Sequence, residues 1–301
     1  MIHTLLRRAA LTLAGLALIL VAAVGCQQVR LGGSDFAPAP GTGLRVATHN
    51  VHYIVLRRET GRWSRGDFER RRPALAAAFA ALDADIVAFQ EMESFGGGSE
   101  ARENLALDWL LSQNPGYAAA AVGEPDSFPI TQPILYRTAR LEVTDQGWFF
   151  FSDTPDVIYS RTFNGSYPAY ATWAAFRDRT TGEAFRVVNV HFDYEAWENR
   201  RRSAELVAAP IADWEGPVIL AGDLNARAGS PTMEILEVAG LTFPPVPGAT
   251  FHFDRGLNLF GAIDHVGLRG AEALGPPMVL RESYDGVWPS DHYPVALDVS
   301  F

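Results

Sequence analysis

The sequence predicts an α/β fold in which β-sheets lie in the middle and helices cover the outside. Short apolar runs that end in polar or turn-forming residues recur from residue 44 to residue 301, and such runs are typical of buried strands. Longer helix-like segments separate several of these runs. Mixed strands with helices between them pack as sheets covered by helices, and the order of the patterns therefore predicts this class.

The pattern of each segment gives its expected type. Strands are predicted at LRVATHNV (44–51), DIVAFQE (85–91), TQPILYR (131–137), LEVTDQGWFFF (141–151), YATWAAFRD (170–178), FRVVNVH (185–191), PVILAGDLN (217–225), ATFHF (249–253), IDHVGLR (263–269), MVLRESY (278–284) and PVALDVSF (294–301). Helices are predicted at 68–83, at 100–113 with Ser99 as N-cap, at 195–213, and from Ser230-Pro231 to Gly240. Pro73 is tolerable only near the first turn of its helix.

The N-terminus is predicted to be a targeting segment. Arg7 and Arg8 precede an unbroken run of apolar or small residues from Ala9 to Gly25. The run is short for a membrane span and is typical of the apolar part of a secretory signal, and the arginines favour the cytoplasmic side. The rest of the chain is therefore expected outside the cytoplasm.

Cys26 is the only cysteine, so the chain can form no internal disulfide. The segment Ala23-Val24-Gly25-Cys26 resembles the lipobox of bacterial lipoproteins, although Ala23 stands where Leu is commoner. The resemblance implies lipid attachment at Cys26, and Gln27 behind it implies the outer membrane. An uncleaved membrane anchor is the alternative.

Composition divides the chain into three parts. Residues 1–25 are the expected signal peptide, and 26–43 are rich in Gly, Pro and Ala without periodicity, which predicts a flexible tether after the cysteine. Residues 44–301 form the expected folded domain. A monomer tethered to the bacterial membrane is expected.

The charge of the chain counts against extended, non-specific binding of nucleic acid. The formal charge is −10, every basic residue is Arg, and loss of Arg7 and Arg8 leaves 23 basic against 35 acidic residues, or −12. Affinity for nucleic acid comes largely from basic side chains that neutralise phosphates. Seven arginines between residues 57 and 72 are a local exception; a solvated helix start is the default interpretation and a phosphate-facing loop the alternative.

Six predicted strands or their ends carry carboxylate, amide or imidazole side chains. They are His49-Asn50, Gln90-Glu91, His191 with Asp193, Asp223 with Asn225, Asp264-His265 and Ser290-Asp291-His292. Asp and Asn often only close turns, but six such clusters exceed what turns require. They predict one polar site at the rim of the sheets.

The residue types limit the chemistry of that site. Clustered carboxylates repel each other unless they protonate, pair with Arg or bind a cation. Oxygen donors without cysteine suit Mg²⁺, Mn²⁺ or Ca²⁺ better than zinc. The chain has no Gly-x-Ser-x-Gly elbow and, without lysine, no phosphate-binding loop of the Gly-x4-Gly-Lys type.

The ordered set THNV, DIVAFQE, NVHFD, GDLN, AIDHV and PSDHYPV resembles the endonuclease/exonuclease/phosphatase superfamily, with the deoxyribonuclease I-like fold, over residues 44 to 301. Segments 133–156 and 167–193 resemble its small bacterial branch. The resemblance implies a four-layered αββα sandwich, two mixed sheets packed face to face with helices outside. It also implies a hydrolase of phosphodiesters or phosphomonoesters that uses Mg²⁺ or Mn²⁺.

The resemblance also implies a role for each matching residue. Glu91, Asn50 and Asp291 would bind the metal. Asp223 would orient or deprotonate the attacking water beside Asn225, while His292, held by Asp264, and His191 would donate to the phosphate. The substrate side is expected to include His252, Arg161 and Tyr170, with core packing as the alternative for each.

Three functions remain open at this point. The first is a metal-dependent phosphoesterase held at the cell envelope, acting on a small phosphoester, as a secreted nuclease, or as a sphingomyelinase-like lipid hydrolase with 147–153 as a weak candidate for an apolar hairpin. The second is a non-catalytic envelope protein that binds a ligand on the same fold. The third is a membrane-tethered module that binds a partner.

Overall fold

The computed structural model describes residues 2–31, 36–95 and 103–301. The helices of these residues are α1 (Ile2–Leu31), α2 (Arg65–Leu82), α3 (Leu105–Gln113), α4 (Trp197–Asp213) and α5 (Pro231–Val238). The strands are β1 (Leu44–Asn50), β2 (Ile54–Val55), β3 (Ile86–Gln90), β4 (Ser94–Phe95), β5 (Tyr117–Ala120), β6 (Ile134–Arg137), β7 (Leu141–Phe150), β8 (Tyr170–Asp178), β9 (Ala184–His191), β10 (Val218–Asp223), β11 (Asp264–Arg269), β12 (Glu272–Ala273), β13 (Met278–Val279) and β14 (Val295–Ser300).

Two mixed sheets form the centre of the domain. The seven-stranded sheet has the order β12-β14-β1-β3-β6-β5, with β13 also paired to β14, and the five-stranded sheet has the order β11-β10-β9-β8-β7. In the first sheet β1 runs parallel to β3 and antiparallel to β14, and in the second β10 runs parallel to β9 and antiparallel to β11. A small pair of β2 and β4 stands apart.

Three apolar clusters separate four layers. The cluster between the sheets includes Val46, Ile86, Phe176, Val187 and Ile219. A second cluster joins α2 and α3 to the seven-stranded sheet, and a third joins α4 and α5 to the five-stranded sheet. This is the αββα sandwich, and the predicted fold class is confirmed.

Several predicted elements differ from the observed ones. Residues 249–253 form no strand and contribute only an isolated bridge between Phe251 and His292. In segment 278–284 the strand stops at Val279. Their buried residues, Ala249, Thr250, His252 and Leu280, lie in loops, so the apolar composition of these runs does not indicate a strand. The apolar segment 147–153 is the end of β7, with Phe150 and Phe151 fully buried, and is core rather than a protruding hairpin.

The sequence pattern also predicted the wrong first residue for two helices, α2 and α3. Asn104 caps α3, its Oδ1 accepting from Leu107 N at 3.1 Å, and the predicted cap Ser99 lies outside the described residues. α2 begins at Arg65 after its N-cap Ser64, so Pro73 lies deeper in the helix than predicted. The arginine run around this position did not indicate that Ser64 is the N-cap.

The N-terminal helix α1 stands apart from the core. Its segment Leu6–Val29, 24 residues with mean hydropathy 2.4, is long and apolar enough to cross a membrane, a property that signal sequences share. This is compatible with the predicted signal or anchor. Cys26 is exposed.

Part of the predicted tether is docked on the domain. The buried guanidinium of Arg45 donates to Ala37 O at 2.9 Å and Pro38 O at 2.8 Å, and also pairs with Asp298 at 2.7 Å. The Phe36 ring lies 5.1 Å from the same guanidinium carbon. Residues 36–38 are therefore held by the folded domain, although they belong to the segment that composition predicted to be a flexible tether.

Candidate active site

Strand register brings the predicted polar residues to one end of both sheets. Asn50 pairs with Gln90 across the parallel strands β1 and β3, and Glu91 follows directly. In the other sheet Asp223 pairs with both His191 and Asp264. Strands β1, β3, β9 and β10 end at this edge and β11 begins there. The side chains from the two sheets therefore meet over the space between the sheets.

Asn50 connects the two sheets. Its Nδ2 donates to Glu91 Oε1 at 3.1 Å and to Asp223 Oδ2 at 3.2 Å, while its Oδ1 accepts from His52 N at 3.3 Å. The amide therefore lies between one carboxylate from each sheet. A buried hydrogen bond of 2.7 Å from Gln90 Nε2 to Asn189 Oδ1 joins the sheets directly below.

His292 is held in place by a carboxylate behind it. Its Nδ1 lies 2.9 Å from Asp264 Oδ2, and its Nε2 lies 3.8 Å from Asp223 Oδ2. Burial opposes the charged imidazolium, but Asp264 and Asp223 outweigh it and raise the pKa of His292 well above its ordinary value. His292 is therefore a positively charged donor whose Nε2 faces Asp223.

Asp223 is a buried carboxylate whose pKa is also raised. Burial and the neighbouring charge of Asp264 raise the pKa of Asp223 to about 6. Its Oδ1 accepts from Asn225 N at 2.9 Å. The strand ends at Asp223, and Asn225 has a left-handed φ of 46°, so strand alternation does not place the two side chains on one face. Asn225 Nδ2 instead donates to Phe192 O at 2.9 Å.

His191 lies beside the same two carboxylates that Asn50 joins. Its Nε2 is 3.7 Å from Asp223 Oδ2 and 3.9 Å from Glu91 Oε1. The ring is about one quarter exposed, whereas His292 is nearly buried. Two imidazoles therefore face Asp223: that of His191 is partly exposed and that of His292 is nearly buried.

Asp291 has partners of its own. Arg62 Nη2 donates to its Oδ2 at 2.7 Å and lies 3.4 Å from Asp254, and His52 Nε2 is 3.7 Å away. Burial raises the pKa of Asp291, but the charges of His292, His52 and Arg62 outweigh it, and the pKa falls below its ordinary value. Asp291 is therefore an ionised carboxylate already paired with a guanidinium.

The donor set at the strand ends fits a divalent cation. Glu91 and Asp223 place oxygens within hydrogen-bond distance of one amide nitrogen, and neither carboxylate contacts an arginine among the described residues. Hard oxygen donors with excess negative charge suit Mg²⁺ or Mn²⁺. The group His52, Asp254 and Asp291 is also close enough to hold an ion, but Trp63 Nε1 donates to His52 Nε2 and Arg62 occupies Asp291.

The three predicted metal ligands do not all lie together. Glu91 and Asn50 meet at the strand ends, whereas the described hydrogen bonds and ion pairs of Asp291 do not include either of them. A metal-binding role for Asp291 stays a prediction, and Arg62 would compete with the metal for its Oδ2.

A cleft of about 1070 Å³ opens above these residues. Glu91, His191, Asp223, Asn225 and His292 lie on its wall. The remaining lining is mainly aromatic or hydroxyl-bearing and consists of Tyr53, Glu93, Thr131, Gln132, Tyr159, Arg161, Tyr167, Pro168, Ala169, Tyr170, Phe192, Tyr194, Phe251 and Ile263. Such a surface suits a compact ligand with apolar and hydroxyl faces.

The three predicted substrate residues have different positions. Arg161 and Tyr170 line the cleft, although the Tyr170 hydroxyl is engaged by Thr131. His252 is fully buried outside the lining and stacks on Tyr293 with ring centroids 4.0 Å apart. Burial lowers the pKa of His252 to about 4, so it is a neutral core residue with no face open to a substrate.

Sequence reasoning missed two titratable residues of the site, Glu93 and Arg62. Glu93 lines the cleft beside Glu91, and burial together with the Glu91 charge raises its pKa to about 8. Arg62 belonged to an arginine run whose default interpretation was a solvated helix start. Strand alternation could not have indicated Glu93, because β3 ends at Gln90 and Glu91 has a left-handed φ of 53°.

Other predicted polar residues are structural. Asp193 caps the turn into α4, its Oδ1 accepting from Glu195 N and Ala196 N at 2.9 Å. His49 and His265 are buried, and burial lowers the pKa of His49 to about 3. Neither lines the cleft.

The comparisons with known proteins agree with this geometry. The model of the endonuclease/exonuclease/phosphatase family matches residues 47–292, and the chain belongs to that family. A comparison with curated proteins found no match.

Two similar solved structures come from Bacteroides thetaiotaomicron. One, an endonuclease/exonuclease/phosphatase family protein, is 26% identical with a TM-score of 0.73 and covers 86% of this chain and 98% of its own. The other, a mannosyl-6-phosphatase, is 26% identical with a TM-score of 0.73 and covers 86% of this chain and 100% of its own. The TDP2 protein of D. rerio in complex with single-strand DNA product, 14% identical with a TM-score of 0.62, covers 86% of this chain and 100% of its own and shares the fold.

Proposed function

We propose that the chain is a divalent-metal-dependent phosphoesterase that hydrolyses small phosphate esters at the cell envelope. The observation that carries the proposal is the meeting of Asn50, Glu91, Asp223 and the Asp264–His292 pair at the strand ends. Glu91, Asp223 and His292 of this group line the cleft. Carboxylates and imidazoles in these relations are the groups that phosphoryl transfer to water requires.

Each residue has a task in the hydrolysis. Asp223 accepts a proton from water as the water oxygen attacks phosphorus, and the bond from phosphorus to the leaving oxygen breaks. His292, kept protonated and oriented by Asp264, donates to a phosphoryl oxygen. His191, more exposed, is placed to protonate the leaving oxygen or to donate to it. Glu91 and Asn50 would hold Mg²⁺ or Mn²⁺, which would neutralise charge on the phosphoryl oxygens.

The cleft favours a small phosphoester over a polynucleotide. Among the described residues the lining is mainly aromatic or hydroxyl-bearing and contains a single arginine, Arg161. Together with the formal charge of −10, this offers little to a long phosphate backbone. The resemblance to a mannosyl-6-phosphatase supports a sugar phosphate as the substrate class.

Activity on bis(p-nitrophenyl) phosphate and on mannose 6-phosphate tests the proposal. Asp223→Asn and His292→Ala should each lower kcat by about 10²–10⁴-fold, the usual contribution of positioned acid–base groups. Thr180→Ala, in an exposed turn at the far end of the five-stranded sheet, should keep full activity. EDTA should abolish turnover, and Mg²⁺ or Mn²⁺ should restore it.

The same assay distinguishes a non-catalytic binding protein. Sugar phosphate binding detected by calorimetry, without turnover at any metal concentration, would overturn the enzymatic proposal and support a ligand-binding function. A substrate panel that includes single-stranded DNA and sphingomyelin would show whether a longer or lipid substrate is preferred.

Envelope tethering rests on α1 and Cys26. Membrane fractionation of cells expressing the full chain should place it in the membrane pellet. Metabolic labelling with a fatty acid, lost in Cys26→Ser, would indicate lipidation, whereas an unlabelled protein of unprocessed length would indicate an anchor. Recovery in the soluble fraction would contradict both.

A further inference from the structure

The loop that enters β11 carries an exposed apolar patch. In this segment, here called the aromatic loop (251–262), Phe253 is 37%, Leu259 38% and Phe260 48% exposed. The rings of Phe253 and Phe260 are 6.0 Å apart, and Phe253 packs on Phe251 at 4.4 Å. Large apolar side chains gathered on one loop indicate a binding surface rather than scattered exposure.

Basic side chains flank this patch on a chain that is otherwise acidic. The Arg227 guanidinium lies 5.4 Å from the centre of the Phe260 ring, and Arg255 within the loop is exposed. Neither arginine forms an ion pair with another described residue. Exposed aromatic rings with arginines beside them match the chemistry of an anionic lipid surface, where rings enter the headgroup layer and cations meet lipid phosphates.

The N-terminal segment is bound to the same loop. Gln28 Nε2 donates to Gly256 O at 2.9 Å, and Gln28 Oε1 accepts from Asn258 N at 2.6 Å. Gln28 lies at the end of the apolar segment Leu6–Val29 and two residues after Cys26. This step rests on the proposed envelope tethering: with α1 as an anchor or with a lipid on Cys26, residue 28 would lie next to the membrane surface.

From these contacts we infer that the aromatic loop is a membrane-contacting surface whose occupant is a lipid bilayer containing anionic lipid. Two backbone contacts from Gln28 bring the loop to the place where the chain leaves the bilayer. Phe253, Leu259 and Phe260 then enter the headgroup layer, and Arg227 and Arg255 meet lipid phosphates.

The position of the aromatic loop also determines where the cleft opens relative to the bilayer. Phe251, at the start of the loop, lines the cleft and packs on His292 with ring centroids 5.0 Å apart. The cleft mouth therefore lies beside the bilayer surface, not on the far side of the domain. The inference concerns docking and does not depend on which ester is hydrolysed.

A reporter fluorophore on the loop tests the contact. The full chain with Cys26→Ser and Phe260→Cys, labelled with an environment-sensitive dye, is reconstituted through α1 into vesicles of phosphatidylethanolamine with or without phosphatidylglycerol. The matched control places the dye at Thr180→Cys, in the exposed turn between β8 and β9 at the opposite end of the sheet.

Quenching by spin-labelled lipid should be several-fold stronger for the dye at residue 260 than at residue 180, and stronger with phosphatidylglycerol. Gln28→Ala should weaken the quenching at residue 260. Equal quenching at both positions, with equal access to aqueous iodide, would overturn the inference. Circular dichroism and hydrolysis of a soluble ester by each labelled chain identify a folding defect, and the dye position can then be moved to Leu259→Cys.

Discussion

Asp264 and His292 form a buried hydrogen bond of 2.9 Å between Oδ2 and Nδ1, and the other nitrogen of His292 faces Asp223. The carboxylate both fixes the imidazole ring and favours its charged form. The pair thus converts a histidine that burial alone would neutralise into a cation at the cleft wall.

The first prediction concerns the pH profile of Asp264→Asn. A donor with a raised pKa is active below that pKa, and activity is lost as pH rises through it. Removal of the Asp264 charge lowers the pKa of His292, so the alkaline limb of kcat/KM should move to lower pH. Rates on bis(p-nitrophenyl) phosphate across pH measure the limb, and histidine NMR titration measures the pKa itself. An unmoved limb with a lowered pKa would remove His292 from the reaction.

The second prediction concerns Arg62, which competes with any cation for Asp291. Arg62→Ala frees this carboxylate, so if Asp291 binds metal, half-maximal activity should require less Mg²⁺, and Asp291→Asn should require more. Arg65→Ala is the matched control, because Arg65 is exposed and contacts only Glu59 at 3.9 Å among the described ion pairs. The Mg²⁺ dependence of turnover gives the result. If neither Arg62→Ala nor Asp291→Asn changes the Mg²⁺ concentration needed for half-maximal activity, Asp291 does not bind the metal and its role is structural.

The third prediction concerns the polar connection between the sheets. Asn189 Nδ2 donates to Phe89 O at 2.7 Å and its Oδ1 accepts from Gln90, all fully buried. Asn189→Ala leaves buried groups without partners and should lower the free energy of unfolding by about 1–3 kcal/mol. Urea denaturation measures the loss. Asn164→Ala, in an exposed loop, should change stability by less than about 0.5 kcal/mol.

The fourth prediction is a pH-dependent stability. Burial raises the pKa of Asp178, but hydrogen bonds from Thr180 N and Arg140 outweigh it, and the pKa falls below 3.8. A carboxyl with a lowered folded pKa contributes stability above its unfolded pKa, and that stability is lost as pH falls through the folded value. Wild type should therefore exceed Asp178→Asn in unfolding free energy at pH 7, with the difference shrinking below pH 3.8. A difference independent of pH would contradict the assignment.

The sequence contained most of the candidate site because strands impose a simple rule. Apolar runs that end in Asn50, Glu91 and Asp223 place those side chains at strand ends, and Asp264 begins the antiparallel strand β11 at the same edge. The ordered motifs implied that these positions coincide. Register is set by the apolar faces that the two sheets bury, so local patterning was enough to predict where these residues lie.

The strand rule does not predict contacts between loops that are far apart in the sequence. Arg62 on Asp291, His252 in the core, Glu93 in the cleft wall and Gln28 on the aromatic loop all follow from how loops fold over the sheet ends. Loops lack a repeating period, and their side chains find partners only when the whole chain is packed. The amino-acid order alone therefore determined the sandwich and its strand-end acids and histidines. Only the tertiary structure decided which of them are free, which are paired, and which surface meets the membrane in our proposal, because those outcomes depend on burial and charge contributed by residues far away in the chain.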